Sequence, residues 1–327
     1  MALTKLKQFL LRLQNGWQKH DSNSQPLVDD LDRQRLQQFA RSNLNHPLTA
    51  ERDVQQLLLG ERLSAFTGRG YEFAENRLFQ FGDDARFINW RLYARTGQLY
   101  CKIFHEERRP QLWLVVDRRS SMRFATRRRL KVTAAVRQAL VHLYQAQQQQ
   151  IAVGAVLLDN PLQWFEARTA PAAQQTLINS MNHACPPLHD DIDHFSMDKV
   201  VRQLHSRLQA GSIVIILSDF HDLEQKHIAH LHQLAQQHTV IAVQVLDDIE
   251  LKLPLKGRYR IEQSHDNDPL VMDCTDTAYK NTIEQQLQFR RQQIEQWLLS
   301  TGVTYQRVLT SDEPFSFSTE NAHASAE

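Results

Sequence analysis

Leu112-Trp113-Leu114-Val115-Val116-Asp117-Arg118-Arg119-Ser120-Ser121-Met122 is a run of five apolar residues, two of them β-branched, that ends in a carboxylate followed by two hydroxyls. An unbroken apolar run reads as a buried strand, parallel to its neighbours and covered on both faces. Val132, Val136, Ala139, Leu140 and Leu143 follow at helical spacing. A second run, Ile213-Val214-Ile215-Ile216-Leu217-Ser218-Asp219, also ends in a hydroxyl and a carboxylate. In an open α/β sheet the turns after such strands are where ligands sit. Two buried strands that deliver Asp117 and Asp219 to one sheet edge bring two anions together. A positive group must then lie between them, or one must take up a proton.

The 327 residues leave room for one large domain or two modest ones, and 42% hydrophobic content supports a core. A formal charge of +1 excludes a protein whose whole surface is built for nucleic acid or an anionic membrane. Cys101, Cys185 and Cys274 lie far apart, which argues against a disulfide framework and fits a reducing compartment. No apolar run approaches the ~18 residues that a membrane span requires. Residues 1–20 are basic, lack a small-residue cleavage site and place Leu3, Leu6, Leu10 and Leu13 at helical spacing, as in a partner-docking helix. The chain is expected in the cytoplasm.

Residues 21–26 read as a linker and 27–40 as a helix, within an N-terminal helical segment spanning 1–59. Residues 60–110 are rich in glycine, arginine and aromatic residues. Strands predicted at 77–81 and 99–104 make this a small β-rich subdomain. From 111 to 310, strands alternate with helices. Beyond the two quoted runs, strands are predicted at 151–158, 163–166 (an edge strand), 239–246 and 303–309. Helices are predicted after Ser121 and at 171–181, 196–208, 222–237 and 277–299, with a less regular insert around Pro254 and Gly257. The alternation predicts an α/β protein with a doubly wound parallel sheet of Rossmann type, preceded by the smaller β-rich subdomain. Residues 311–327 are polar and read as a disordered tail.

Asp117-x-x-x-Ser121 after one buried strand, with Ser218-Asp219 closing a later one, resembles a von Willebrand factor A domain. Such domains carry a metal-ion-dependent adhesion site built from Asp-x-Ser-x-Ser, a distant Thr and a distant Asp. The upstream sequence narrows the match. Gly82-Asp83-Asp84-Ala85-Arg86-Phe87-Ile88-Asn89-Trp90, then Ala94-Arg95-Thr96-Gly97, then Glu106-Glu107-Arg108 resemble the boxes that precede an A-type domain in the domain of unknown function 58 family. Asp248-Ile249-Glu250, followed by Leu253-Pro254 and Gly257, is similar to that family's segment after its fifth strand. The resemblance implies a bacterial cytoplasmic protein whose usual companion is a MoxR-type AAA+ ATPase. It further implies an adaptor or chaperone-like role in assembly or stress response, with no established catalytic reaction. Relatives often carry N-terminal membrane spans, and this chain reads as a short soluble version. Gly82, Asp83, Asp84, Arg86, Trp90, Arg95 and Glu107 are read as structural: a glycine turn, a capping Asp83, an acid-paired Arg86 and a core-filling Trp90.

The departures from the A-domain pattern carry the chemistry. Arg119 replaces the first metal hydroxyl, and the region where a metal-site Thr belongs reads Asp190-Asp191-Ile192-Asp193-His194-Phe195-Ser196. Asp117, Ser121 and Asp219 remain as metal candidates. No cofactor is expected, and Mg2+ is the ion those three residues would hold with the help of waters. An always-charged guanidinium pairs bidentately with carboxylates. Arg119 is therefore expected to supply the charge of the missing ion, set against Asp117, Asp219 or both.

Arg118, Arg119, Arg123, Arg127, Arg128, Arg129 and Lys131 form the densest charge in the chain. No aromatic-interleaved groove or nucleic-acid module accompanies them, so nucleic acid ranks low as a partner. Arg118, Arg119, Ser120 and Arg123 are instead expected to bind an acidic partner segment at the sheet edge. His221, His227, His230 and His232 are read as exposed residues of one helix, not as a zinc set. The function expected is a non-catalytic protein-interaction or adaptor module. The alternatives are a metal-dependent phosphohydrolase-like enzyme, for which a general base and a full metal set are missing, or a nucleic-acid binder through the basic cluster.

Overall fold

The computed structural model describes residues 25–42, 72–80, 87–105, 110–123, 125–126, 129–185, 195–209, 211–253, 258–261, 270–273 and 276–313. The chain divides into a smaller unit, Pro47–Arg109, and a larger one made of Met1–His46 and Pro110–Glu327. Helix α1 (Asp30–Ser42) belongs to the larger unit, and β1 (Glu72–Leu78), α2 (Trp90–Thr96) and β2 (Tyr100–His105) belong to the smaller. The larger unit continues with β3 (Leu112–Asp117), α3 (Lys131–Gln148), β4 (Val153–Leu158), β5 (Gln163–Arg168), α4 (Pro171–Asn182) and α5 (Met197–His205). It closes with β6 (Ile213–Ser218), α6 (Ile228–Gln237), β7 (Thr239–Leu246), α7 (Asp248–Leu251), β8 (Arg258–Ile261), β9 (Leu270–Asp273), α8 (Thr277–Ser300) and β10 (Thr304–Leu309).

In the smaller unit β1 and β2 pair antiparallel, with Leu78 opposite Tyr100 and an irregularity between Phe73 and Glu75. Asn89 caps α2 by accepting a hydrogen bond from the Leu92 N–H at 3.2 Å. Gly97 ends that helix at φ 71°, a left-handed conformation that glycine adopts without strain. Trp90 does not fill a core as the sequence suggested: it is 60% exposed and meets Tyr93 edge-on at 6.2 Å. The buried pair is instead Ile88 and Cys101, joined across an antiparallel bridge. The residues 81–86 and 106–109 of the family boxes lie outside the described residues.

The larger unit is the doubly wound α/β fold that the strand-helix alternation predicts. Its six-stranded sheet runs β10-β7-β6-β3-β4-β5, parallel except for β5, which pairs antiparallel with β4 at the edge. Side chains alternate across the sheet. Trp113, Val115, Val214, Ile216, Val240 and Ala242 pack with Val200, Val201 and Leu204 of α5, Leu231 and Leu234 of α6, and Ile294 and Leu298 of α8. Helix α3 packs on β3, β6, β7 and β10, and α4 on β4 and β5. Trp113 lies opposite Gly154 in the β3–β4 register, and a Cβ at Gly154 would sit 2.9 Å from the indole, so that site needs glycine. The segment read as irregular around Gly257 contains the antiparallel pair β8–β9.

Strand β3 is flanked by β4 on one side and β6 on the other, so the chain reverses its direction of travel across the sheet there. The turns after β3 and β6 share this switch point, the crevice where α/β sheets take ligands. Helix α1 packs on α3, where Arg137 pairs with Asp32 at 2.7 Å. Its entry is pinned by Asn182, whose side chain accepts from the Val28 N–H at 2.7 Å and donates to the Val28 carbonyl at 2.8 Å.

One feature of α3 opposes stability. His142 is buried, and neither ring nitrogen finds a hydrogen-bond partner among the described residues. Burial lowers its pKa from 6.5 to about 4. A base whose folded pKa is depressed contributes full stability above its unfolded pKa and loses it as pH falls toward the folded one. Stability should therefore drop by up to about 3 kcal/mol between pH 6.5 and 4 from this group alone. His142→Leu is expected to raise stability at pH 7 by about 1–2 kcal/mol and to flatten that slope, measured by urea unfolding across the pH range.

Candidate functional site

The backbone brings β3 and β6 together in register, Val116 opposite Leu217, so Asp117 arrives beside Ser218. The Ser218 hydroxyl donates to Asp117 Oδ2 at 2.6 Å and accepts from the Phe220 N–H at 3.0 Å. After Asp117 the chain turns through Arg118 and Arg119 into a single 3-10 turn, Ser120–Met122. That turn lets Arg119 fold back on the strand end. Its Nε and Nη2 donate to Asp117 Oδ1 and Oδ2 at 3.0 and 2.7 Å, and its backbone N–H reaches Oδ1 at 3.0 Å. The other edge of the same guanidinium grips Asp222, with Nη1 and Nη2 at 2.7 and 3.1 Å from the two carboxylate oxygens. Burial works to depress the guanidinium pKa, but Asp117 and Asp222 outweigh it and hold it above its ordinary value. Burial alone would raise Asp222; the Arg119 contact instead lowers it to about 2.

Asp219 has a cation of its own, and it is not Arg119. Lys131, the first residue of α3 and wholly buried, sets its ammonium 2.9 Å from Asp219 Oδ2 and 3.2 Å from Glu250 Oε1. Both the backbone N–H and the ring Nδ1 of His221 lie 3.1 Å from Asp219 Oδ1. Burial pushes the Asp219 carboxyl upward, yet Lys131 and His221 together hold it well below the usual carboxylate range. For Glu250 the balance falls the other way, and burial leaves its pKa raised. Ser121, also buried, places Oγ 3.0 Å from the same Nδ1 of His221. A hydrolytic relay needs the hydroxyl and the carboxylate on opposite ring nitrogens. Here both face one nitrogen, so Ser121, His221 and Asp219 form a structural knot and not a nucleophile with its base.

Of the remaining described arginines of the basic cluster, Arg118 and Arg123 also turn inward, while Arg129 pairs nearer the surface. Arg118 is 2% exposed: its Nε meets Asp159 at 2.8 Å, and its other nitrogens donate to the carbonyls of Ser180, Met181 and His183 at 3.2, 2.6 and 3.1 Å. Arg123 donates to Asp159 at 2.9 Å and to the Arg118 carbonyl at 2.9 Å. Arg129 pairs with Glu313 at 2.8 Å. The expectation that Arg118, Arg119 and Arg123 receive a partner's carboxylate is therefore corrected, because Asp117, Asp159 and Asp222 already occupy those guanidiniums. Ser120 is the one member of that proposed set at the half-exposed rim without an arginine side chain.

Lys131, Asp159, Asp222 and His221 were not singled out as parts of this site by sequence reasoning. Lys131 looked like the tail of a basic run, and Asp222 like the start of a helix. In fact α6 begins only at Ile228, because Asp222 binds Arg119 and Glu224 caps the short turn Gln225–His227. Of the four histidines only His230 and His232 lie in α6: His230 meets Asp198 at 2.7 Å, His232 the Thr301 carbonyl at 3.2 Å, and His227, before the helix, accepts from the Glu224 N–H at 3.2 Å. Of the upstream box, Arg95 is exposed in the last turn of α2. Gly82, Asp83, Asp84, Arg86 and Glu107 lie outside the described residues. Among the described residues no helix is long and apolar enough to cross a membrane.

Comparison with known proteins places the sequence in a family. The uncharacterized proteins Rv1480 of Mycobacterium tuberculosis (strain ATCC 25618 / H37Rv) and Mb1516 of Mycobacterium bovis are each 30% identical to the chain over 221 residues. Those alignments cover 64% of this chain and 66% of each relative, so the chain spans a little under two thirds of their length. Among solved structures, the conserved hypothetical protein BatB from Bacteroides thetaiotaomicron aligns with a TM-score of 0.39 at 11% identity, covering 62% of this chain and 91% of that one. The family model for the protein of unknown function DUF58 matches residues 75–293, well over half of the sequence, and the chain belongs to that family.

Proposed function

We propose that the protein is a non-catalytic interaction module of the cytoplasm that works with a MoxR-type AAA+ ATPase in chaperone-like assembly or stress response. The observation that supports it best is the self-neutralised sheet edge. Buried ion pairs tie the turns after β3, β4 and β6 to one another through Arg118, Arg119 and Lys131. Such pairs fix geometry more than they add stability. A rim whose backbone is held this way loses little freedom on binding, which favours recognition. The nature of the partner comes from the resemblance of the Gly82–Trp90 and Asp117–Ser121 boxes. The contact moves outward from the buried Asp117, Ser121 and Asp219 to the rim above them, where Ser120, Asn160, His183 and Lys226 are half-buried or exposed.

The test is calorimetric titration of the purified protein with the MoxR-type ATPase of the same genome, in ATP and in ADP. Binding is expected, with an affinity that changes with nucleotide. The rim variant N160R/K226E should bind about tenfold more weakly at an unchanged melting temperature. Absence of binding in either nucleotide, or full binding by the rim variant, removes the reading.

A further inference from the structure

We infer that Arg119 and Lys131 are resident cations that exclude divalent metal from the edge between β3 and β6, so that this chain works without the ion that the A-type site it resembles requires. The inference rests on the donor set and stands whether or not the ATPase proves to be the partner.

A magnesium ion needs near-octahedral oxygen ligands at about 2.0–2.1 Å. The oxygens that would supply them here already face donors. Asp117 Oδ1 accepts from the Arg119 backbone N–H and Nε, both at 3.0 Å, while Oδ2 accepts from Arg119 Nη2 at 2.7 Å and from Ser218 at 2.6 Å. Those four bonds fill the acceptor positions of a carboxylate. Ser121 Oγ lies against an imidazole nitrogen at 3.0 Å, and Asp219 holds the Lys131 ammonium at 2.9 Å. A dication at this place would stand beside a guanidinium and an ammonium that are 5% and 0% exposed, where charge repulsion is weakly screened. Neither cation can withdraw to solvent without leaving two carboxylates behind: Asp117 and Asp222 for Arg119, Asp219 and Glu250 for Lys131. Among the described residues, no group of three or more His, Cys, Asp or Glu side chains is arranged to hold a metal ion. The residues present do not fit the metal.

Manganese is the probe, because its free-ion paramagnetic signal falls on binding. The full-length wild-type protein is expected to leave that signal unchanged and to melt at the same temperature in EDTA and in millimolar magnesium. Arg119→Ser combined with Asp222→Asn restores the missing hydroxyl and removes the second carboxylate that Arg119 serves. This double variant is expected to take up manganese and to gain melting temperature with it. Manganese uptake by the wild-type protein would overturn the inference. A double variant that is folded by circular dichroism yet takes up none, and still takes up none when Lys131→Met is added, would overturn it too, since something other than these two cations would then keep metal out. Should the double variant not fold, the wild-type titration decides alone.

Discussion

Arg119→Ala is expected to lower the free energy of unfolding by about 3–5 kcal/mol at pH 7. The reason is what the substitution leaves behind. Asp117 is 0% exposed, and two of its four hydrogen bonds come from the guanidinium. Without it, an ionised carboxylate must stay buried on one hydroxyl and one backbone N–H, or take up a proton. Asp222 loses its ion pair as well. The acid limb of the stability curve should change in a defined direction. In the wild-type protein Asp222 is depressed from 3.8 to about 2, so it contributes up to about 2 kcal/mol above pH 4 that fades as pH falls toward 2. The variant should lack that part of the acid loss. Urea unfolding at pH 7 and pH 3 measures both effects. The exposed pair Lys226–Glu224 is the control, and Lys226→Met should leave stability essentially unchanged.

Lys131→Met should be comparably severe, by about 3–5 kcal/mol at pH 7, with a reversed pH dependence. Methionine fills much of the space but leaves Asp219 and Glu250 facing each other without the ammonium. Burial already raises Glu250, and loss of the lysine removes what opposes it. A carboxyl whose folded pKa is raised adds stability below its unfolded pKa, and this is lost as pH rises through the folded value. The variant should therefore be most stable in mild acid and weaken toward neutrality more steeply than the wild-type protein. In the latter the raised Glu250 acts in the same direction, but the depressed Asp219 opposes it. Equal pH profiles for the two proteins would mean that Lys131 does not neutralise this pair.

The fold was legible because its signal is local. Leu112–Asp117 and Ile213–Ser218 are continuous apolar runs, and a helical or turn segment separates each from the next strand, so a parallel sheet is the arrangement that buries both faces. Ser196 before Met197 and Pro171 at a first turn marked helix starts correctly, through a cap and a fixed φ. The site was half legible. That Asp117 and Arg119 pair follows from a two-residue spacing at the end of a strand. That Lys131 reaches Asp219 does not, because the pair is 88 residues apart in sequence and a lysine within an arginine-rich run carries no sign of being the buried one. Asp222 was hidden for a related reason. A helix-start reading of its neighbourhood matched composition, whereas an ion pair with Arg119, 103 residues earlier, decided the local backbone. Trp90 misled by size: a large aromatic suggests core, but at the start of a short helix with no buried residue it stands in solvent.

A double-mutant cycle on Asp117 and Arg119 probes the internal neutralisation most directly. Unfolding free energies of the wild-type protein, Asp117→Asn, Arg119→Met and the double variant yield the coupling between the two groups. A coupling of about 2 kcal/mol or more is expected, with the double variant more stable than Arg119→Met alone, since Asp117 then no longer stays buried as a charge without its partner. A coupling below about 0.5 kcal/mol, the value of an exposed pair, would contradict it.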